Sequence, residues 1–349
     1  MKIHHLLFVA GLLWACSPAQ ERGNYPYQNP ELSVEKRVKD LLDRMSVEDK
    51  VNQISAQLLF MDEFYEKRDY NAGHVRNVGH FLPDGGFPNN PAEVARRINE
   101  DTEQSMQASP WGIPVLQHGE ALHGAQWGNA TCFPQSIAMA ATFDDDLYYR
   151  VGQVVAGELR AVGVRQVYAP VINITRDQRW GRGQESYGED VLLNSRMGVA
   201  YVKALQKGGV VATPKHFVDN YGEGGHDSFA SVTSWRELRE VYLEPFRACV
   251  QEGGAMGIMS SYNSVDGVPS SANRKLLRDI LKDEWGFKGI VVSDYGAVEI
   301  IHQHHYMAES DDDALAKSLE AGMDLQLANT SAGLLELVKS GKVSRKTLD

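Results

Sequence analysis

Short apolar runs alternate with amphipathic stretches of one to two dozen residues along most of this chain, and that alternation limits the fold more than any other feature. Eight runs qualify as strands, at 78–82, 113–117, 136–141, 166–172, 210–214, 255–260, 289–293 and 323–327. Helical patterns fall between them, for example at 91–108, 145–162, 188–207, 234–252 and 272–285. Strands separated by helices imply a parallel sheet, because parallel neighbours need a long crossover. Eight repeats imply that the sheet closes, giving a TIM-type (β/α)8 barrel with room for local departures. Pro114 and the alanine-rich run at 136–141 are the weakest strand assignments. Two helices precede the barrel within 33–60. The first carries Val34, Val38, Leu41 and Leu42; the second opens at Ser46 with Asp49 and continues through Val51, Ile54 and Leu58.

At 43% hydrophobic, the 349 residues can fill one large core. A net charge of −11 argues against nucleic acid and anionic lipid as partners. The first residues differ from the rest. Met1-Lys2, the apolar run 6–13 and Leu13-Trp14-Ala15-Cys16 resemble a bacterial lipoprotein signal; a plain secretory signal is the alternative. The expected organisation is a signal over 1–15, a Pro- and Asn-containing tether over 16–30 lipidated at Cys16, and a barrel domain over 31–349. The protein is then exported and held at the cell envelope by lipid. Cys132 and Cys249 belong to no metal-ligand spacing and read as separate thiols.

In a barrel of this kind, chemistry sits at the carboxyl ends of the strands. Asp84-Gly85-Gly86 follows the first run, and Gln117-His118-Gly119-Glu120 ends the second. Asn173 and then Arg176-Asp177-Gln178-Arg179-Trp180-Gly181-Arg182 follow the fourth. Lys215-His216 ends the fifth, Ser261-Tyr262-Asn263 the sixth and Asp294 the seventh. Taken alone, Asp294 reads as the cap of the next helix. So many polar and ionisable groups on one rim instead describe a pocket for a polar ligand. There is no nucleophile-elbow, phosphate-loop or zinc-helix motif, so no cofactor or metal is expected. A neutral, polyhydroxylated substrate remains. Trp127, Trp180, Tyr262 and Tyr295 are candidate platforms for it, each equally readable as ordinary packing. Carboxylates around such a ligand suggest glycoside hydrolysis.

Several segments resemble the N-terminal barrel domain of glycoside hydrolase family 3, the exo-acting retaining β-glycosidases. They are 45–53, 112–124, Phe133-Pro134-Gln135, 176–182 with 185–190, Lys215-His216-Phe217, 236–239, 259–267 and Ser293-Asp294-Tyr295-Gly296. The resemblance implies release of glucose or xylose from the non-reducing end of β-glycosides by double displacement. It makes Asp294 the nucleophile, and Glu120 a hydroxyl ligand at the far side of the sugar. Arg176, Lys215 and His216 become a sugar-binding trio, with Asp84 also at the pocket. Tyr262 orients the nucleophile and Met259 lines the same wall. Arg182 is a pocket-edge support, with Asp177 as its expected partner. Glu rather than Asp at 120 points toward the xylosidase-like branch.

The acid/base is less readily placed. In multi-domain members it is a Glu in a later domain, and this chain is expected to lack its final helix and that domain. A smaller branch uses a His in the loop after Lys-His-Phe, which makes His226 with Asp227 a candidate, although the loop is closer to the multi-domain form. Glu223 reads as a solvated loop residue. A reading of another class is a truncated sugar-binding barrel without its acid/base. His302-Gln303-His304-His305 reads as a rim loop, and 309–313 as an acidic helix start.

Overall fold

The computed structural model describes residues 25–54, 56–57, 75–77, 90–125, 129–220, 229–327 and 333–349. The expectations for the leader, Cys16, Asp84, Trp127, Glu223 and His226 lie outside the described residues. The chain divides into two units, 1–44 and 45–349. In the first, the expected helix runs over Val34–Arg44. Arg44 closes a two-pronged ion pair with Asp40 one turn earlier, and Asp40 also accepts the Tyr27 N–H.

The second unit opens with the helix Val47–Gln53. Its Ser46 and Asp49 cap each other's backbone N–H groups, as the sequence pattern requires. Ten strands occur among the described residues: β1 (Ala56–Gln57), β2 (Val75–Asn77), β3 (Leu116–Gly119), β4 (Gln166–Val167), β5 (Val211–Ala212), β6 (Ala230–Ser231), β7 (Gly257–Met259), β8 (Ser264–Val265), β9 (Val268–Pro269) and β10 (Ile290–Val292). β1 to β5 pair in parallel, each with the next. Phe217 bridges to Ser260 just beyond β7, β7 pairs in parallel with β10, and Val292 bridges to Leu325. The strand path therefore runs β1-β2-β3-β4-β5-β7-β10 and on to Leu325, every step parallel and in chain order. This is the TIM-type barrel expected from the alternation.

Two expectations are corrected. The run 136–141 is not a strand: Ser136–Ala140 is a helix that buries Ser136, Met139 and Ala140. Alanine and methionine favour helix, and Ile137 alone is too little of the β-branched surface a strand packs with. The second correction supplies the strand that this one removes. Ala56–Gln57 is β1, whereas the helical spacing through Leu58 had absorbed it into the preceding helix. The helix ends at Gln53, and β1 exists through its pairing with Val75 and Arg76, a remote contact that local periodicity does not carry. The first expected run, 78–82, lies outside the described residues, and β2 is described over Val75–Asn77 just before it.

The helices Pro91–Ala108, Asp145–Val162 and Val191–Lys207 match their patterns closely. Lys275–Glu284 is wound more widely, with five-residue hydrogen bonds such as Trp285 N–H to the Ile280 carbonyl. The core behind the site is aromatic. Tyr187 donates to Tyr148 at 2.9 Å, and Tyr201 donates to the Ala121 carbonyl at 2.6 Å, which anchors the loop carrying Glu120. A small sheet, β6-β8-β9, ties together the loops that follow β5 and β7. Its hairpin turns through Asp266 (φ 51°) and Gly267 (φ 78°), the Asp-Gly pair such a turn favours. Gly289 is needed at the mouth of β10, because any Cβ there would strike the Met256 carbonyl, which accepts the Ile290 N–H at 2.9 Å.

Candidate active site

β10 is an Ile-Val-Val run, as a strand enclosed by its neighbours demands, and it delivers Asp294 to the barrel's carboxyl end. Ser293 Oγ fixes this strand end by accepting the Leu327 N–H at 2.9 Å. Asp294 is buried. Its Oδ1 accepts the Tyr295 N–H at 2.8 Å, and its Oδ2 lies 3.5 Å from His216 Nε2. Asp294 is not a helix cap: the next helix, Glu299–Gln303, begins beyond it with Val298 at the cap position.

Lys215 and His216 sit between two strand ladders. Lys215 N–H donates to the Pro170 carbonyl, its own carbonyl accepts the Ile172 N–H, and Phe217 N–H reaches the Met259 carbonyl. The Lys215 ammonium donates to both Glu120 oxygens, at 3.0 and 2.8 Å. His216 is wholly buried and held by Asn173. That carboxamide donates to the His216 carbonyl at 2.9 Å, accepts its N–H at 2.8 Å, and lies 3.0 Å from Nδ1.

Burial pushes the Asp294 carboxyl above the ordinary carboxylate range. Lys215, the Tyr295 N–H, Arg182 and the Tyr262 hydroxyl pull in the other direction without cancelling it. Glu120 behaves alike: burial raises it, Lys215 opposes most, Asp294 adds to the rise, and Arg182 lowers it. The two acids therefore feel each other and share two cations. Below them, burial drives His118 down to about 3, so it is neutral. Its ring packs 4.4 Å from that of Tyr168, and its Nε2 is 3.3 Å from the Tyr295 hydroxyl. Tyr168 is fully buried and feels the charges of Glu120 and Asp294.

The structure thus gathers Asp294, His216, Lys215, Glu120 and Arg182, with Tyr262 alongside. Tyr262 is half-buried and donates to the carbonyl of Tyr295, next to Asp294, at 2.9 Å. The Tyr262 carbonyl is in turn 2.8 Å from His305 Nε2, so the histidine-rich segment steadies this loop. Met259 is buried with Tyr168, Val292, Leu325 and Leu327.

Three expected partners are placed differently. Arg176 stands apart from the cluster: it is exposed, donates to Glu237 at 3.0 Å and lies over the Tyr242 ring. Asp177 does not pair with Arg182. It caps the short turn Gln178–Trp180, which brings Arg179 onto its carboxylate, whereas Arg182 follows the left-handed Gly181 and grips Glu185 at 2.8 and 2.7 Å. Trp180 is not a platform. It is fully buried, and its Nε1–H donates to Asn220 Oδ1 at 3.2 Å. From sequence, Asn173 is placed on the rim without a role of its own, and Tyr168 is not singled out. Their available signal was position, both lying in or just past the fourth run. Cys132 is exposed and Cys249 buried, and neither is in a disulfide.

A family model described as the glycosyl hydrolase family 3 N-terminal domain matches residues 46–349. The chain belongs to glycoside hydrolase family 3. A β-xylosidase of Formosa agariphila is 41% identical over 247 residues, which is 66% of this chain and 34% of that protein. A periplasmic β-glucosidase of Salmonella typhimurium is 34% identical over 343 residues, 94% of this chain and 42% of that one. A solved β-glucosidase from Erythrobacter marinus superposes with a TM-score of 0.83 at 32% identity, covering 93% of this chain and 45% of its own. The family 3 chain described here thus spans less than half the length of each of these relatives.

Proposed function

We propose that this family 3 barrel is the catalytic barrel of an exported, retaining, exo-acting β-glycosidase that releases glucose or xylose from the non-reducing end of β-glycosides, with Asp294 as nucleophile. The observation that carries the reading is one buried carboxylate at a strand end, 3.5 Å from His216 and beside the Lys215–Glu120 pair and Arg182. In the first step, an Asp294 oxygen forms a bond to the anomeric carbon as the bond to the aglycone oxygen breaks. In the second, water attacks the anomeric carbon as its bond to Asp294 breaks, the carboxylate leaves with the bonding pair, and the proton that water loses balances the one the aglycone oxygen gains. Attack requires the ionised form, and Lys215, Arg182 and the Tyr295 N–H offset part of the burial that opposes it. Glu120 and Lys215, charged and mutually oriented, suit bidentate bonding to adjacent sugar hydroxyls. His216, Tyr262 and Met259 complete the proposed wall, and Asp84 and Arg176 are further proposed sugar ligands.

The xylosidase alternative rests on Glu120, whose extra methylene relative to Asp reduces space at the far side of the sugar. Relatives carry both names. Export, lipidation at Cys16 and a barrel domain over 31–349 belong to the same proposal; a relative named for the periplasm supports the export.

The test is covalent trapping. An activated aryl 2-deoxy-2-fluoro-β-glycoside is incubated with the chain, and the labelled peptide is located by mass spectrometry. A strongly acidic leaving group departs without protonation, so the outcome does not depend on the source of the acid/base. The expected result is one glycosyl group on Asp294. An unlabelled chain that still binds sugar would favour the non-catalytic barrel.

A further inference from the structure

We propose that Asn173 is a positioning residue that holds His216 as its Nδ1–H tautomer and thereby keeps the imidazole from donating to Asp294 Oδ2. The assignment follows from donor and acceptor chemistry. The Asn173 atom facing His216 accepts the backbone N–H at 2.8 Å. A backbone N–H only donates, so that atom is the carboxamide oxygen. The same oxygen lies 3.0 Å from Nδ1 and has no proton to give, so the proton between them belongs to Nδ1. The other half of the carboxamide donates to the His216 carbonyl at 2.9 Å, which fixes the amide plane. Asn173 and His216 are both buried, so solvent does not compete for these bonds.

A neutral imidazole with its proton on Nδ1 turns a lone pair toward Asp294 through Nε2. The distance agrees. A ring N–H donating to a carboxylate sits at about 2.7–2.9 Å, whereas Nε2 to Oδ2 is 3.5 Å. The consequence rests on the function proposed above. With the opposite tautomer, the imidazole would hydrogen-bond the attacking carboxylate and stabilise it before reaction. With the assigned one, Nε2 faces the sugar site as an acceptor for a hydroxyl proton, and the carboxylate is not quenched by the histidine. Asn173 acts through His216 and needs no contact with substrate.

The experiment combines nitrogen NMR of the chain carrying 15N-histidine with trapping kinetics on the activated fluoro-glycoside. In the unaltered chain, the His216 signals should show a protonated Nδ1 and a bare Nε2, assigned by their loss in His216→Gln. Asn173→Ala removes the acceptor, so the proton should move to Nε2 and labelling of Asp294 should slow by about tenfold to a hundredfold, the weight of one charge-assisted hydrogen bond. Asn173→Asp keeps both acceptor contacts and guards against loss of folding. Its negative charge should protonate both ring nitrogens and also slow labelling. A proton on Nε2 in the unaltered chain overturns the proposal, as does an unchanged tautomer in Asn173→Ala or a shifted tautomer with an unchanged rate. An unaltered chain that takes no label overturns the proposed function instead, while the spectrum still reads the tautomer.

Discussion

The Lys215 ammonium grips both oxygens of Glu120 across 95 residues of chain, joining the end of β3 to the segment after β5. The lysine is nearly buried and the glutamate about a quarter exposed. Removing the cation strands a largely desolvated carboxylate. Lys215→Met should therefore destabilise the chain by about 2–3 kcal/mol, less than a fully buried pair would lose because Glu120 keeps some solvent. Glu120→Gln retains an acceptor for the lysine and should cost about 1 kcal/mol. Urea melts of the two variants check the order. Equal losses would mean that the pair is screened like a surface bridge.

Asp294 should be a stability liability. Burial raises its folded-state pKa, so the native chain holds this proton more tightly than the unfolded chain does. Stability is then greatest below the ordinary aspartate value of about 4 and is lost as pH rises through the folded-state value. Asp294→Asn removes the titration. At pH 7 the variant should melt about 2–4 °C above the parent, and the gap should close as pH falls toward 4. The same variant should take no fluoro-sugar label. A lower melting point at pH 7 would show that the cations outweigh burial.

Arg182 lowers both acids, although its direct partner is Glu185. Arg182→Gln takes that influence away. The acid limb of the rate profile, set by ionisation of Asp294, should move to higher pH. Glu185→Gln leaves the guanidinium charge in place and should move the limb little. Rates on an activated aryl glycoside across pH measure both, and a common shift would assign the effect to lost packing.

The chain was legible where local pattern and long-range structure agree. The run 289–293 needed no remote information to be read as a strand, since glycine and three apolar β-formers suffice, whereas Asp294 at its tip reads as a helix cap until the other strand ends are set beside it. The helices Pro91–Ala108 and Asp145–Val162 carry their caps and periodicity openly. β1 was illegible because two residues hold no period and its identity comes from β2. The 136–141 segment misled because a short apolar run is ambiguous, and only its alanines argued for helix. In the site, residue type located the charged groups, but partners were decided by turns. Asp177 was lost to Arg179 through a cap, and Arg182 was turned toward Glu185 by a left-handed glycine. Asn173 was legible as a rim residue, but its hold on His216 was not, because that contact joins positions 43 residues apart.

Trp180 offers a test of packing against function. Its ring is fully buried, and its one N–H donates to Asn220, whose own amide donates to Ser261 at 2.8 Å. Trp180→Phe keeps most of the volume and loses the donor, so it should cost about 1–3 kcal/mol with little change in sugar affinity. Trp180→Ala should cost about 3–5 kcal/mol through the cavity. If instead Trp180→Phe weakened binding of glucose or xylose while stability held, the residue would belong to the sugar surface after all.

Under the proposed function, the choice between glucose and xylose is assigned to one methylene. Glu120 extends its carboxylate toward Lys215, and the room left at the far side of the sugar depends on that reach. Glu120→Asp withdraws the acid by about one carbon–carbon bond, lengthening the contact with Lys215 and opening space that a hydroxymethyl group can fill. A methylene-sized change in a pocket is worth about 1–3 kcal/mol of discrimination. The ratio of kcat/KM on aryl β-glucoside to that on aryl β-xyloside should therefore rise by about tenfold in Glu120→Asp, chiefly through KM. The parent chain should favour xyloside or show no preference. A parent with a large glucoside preference, or a variant whose ratio does not move, would remove Glu120 from the specificity argument and leave the Lys215 pair as a purely structural tie.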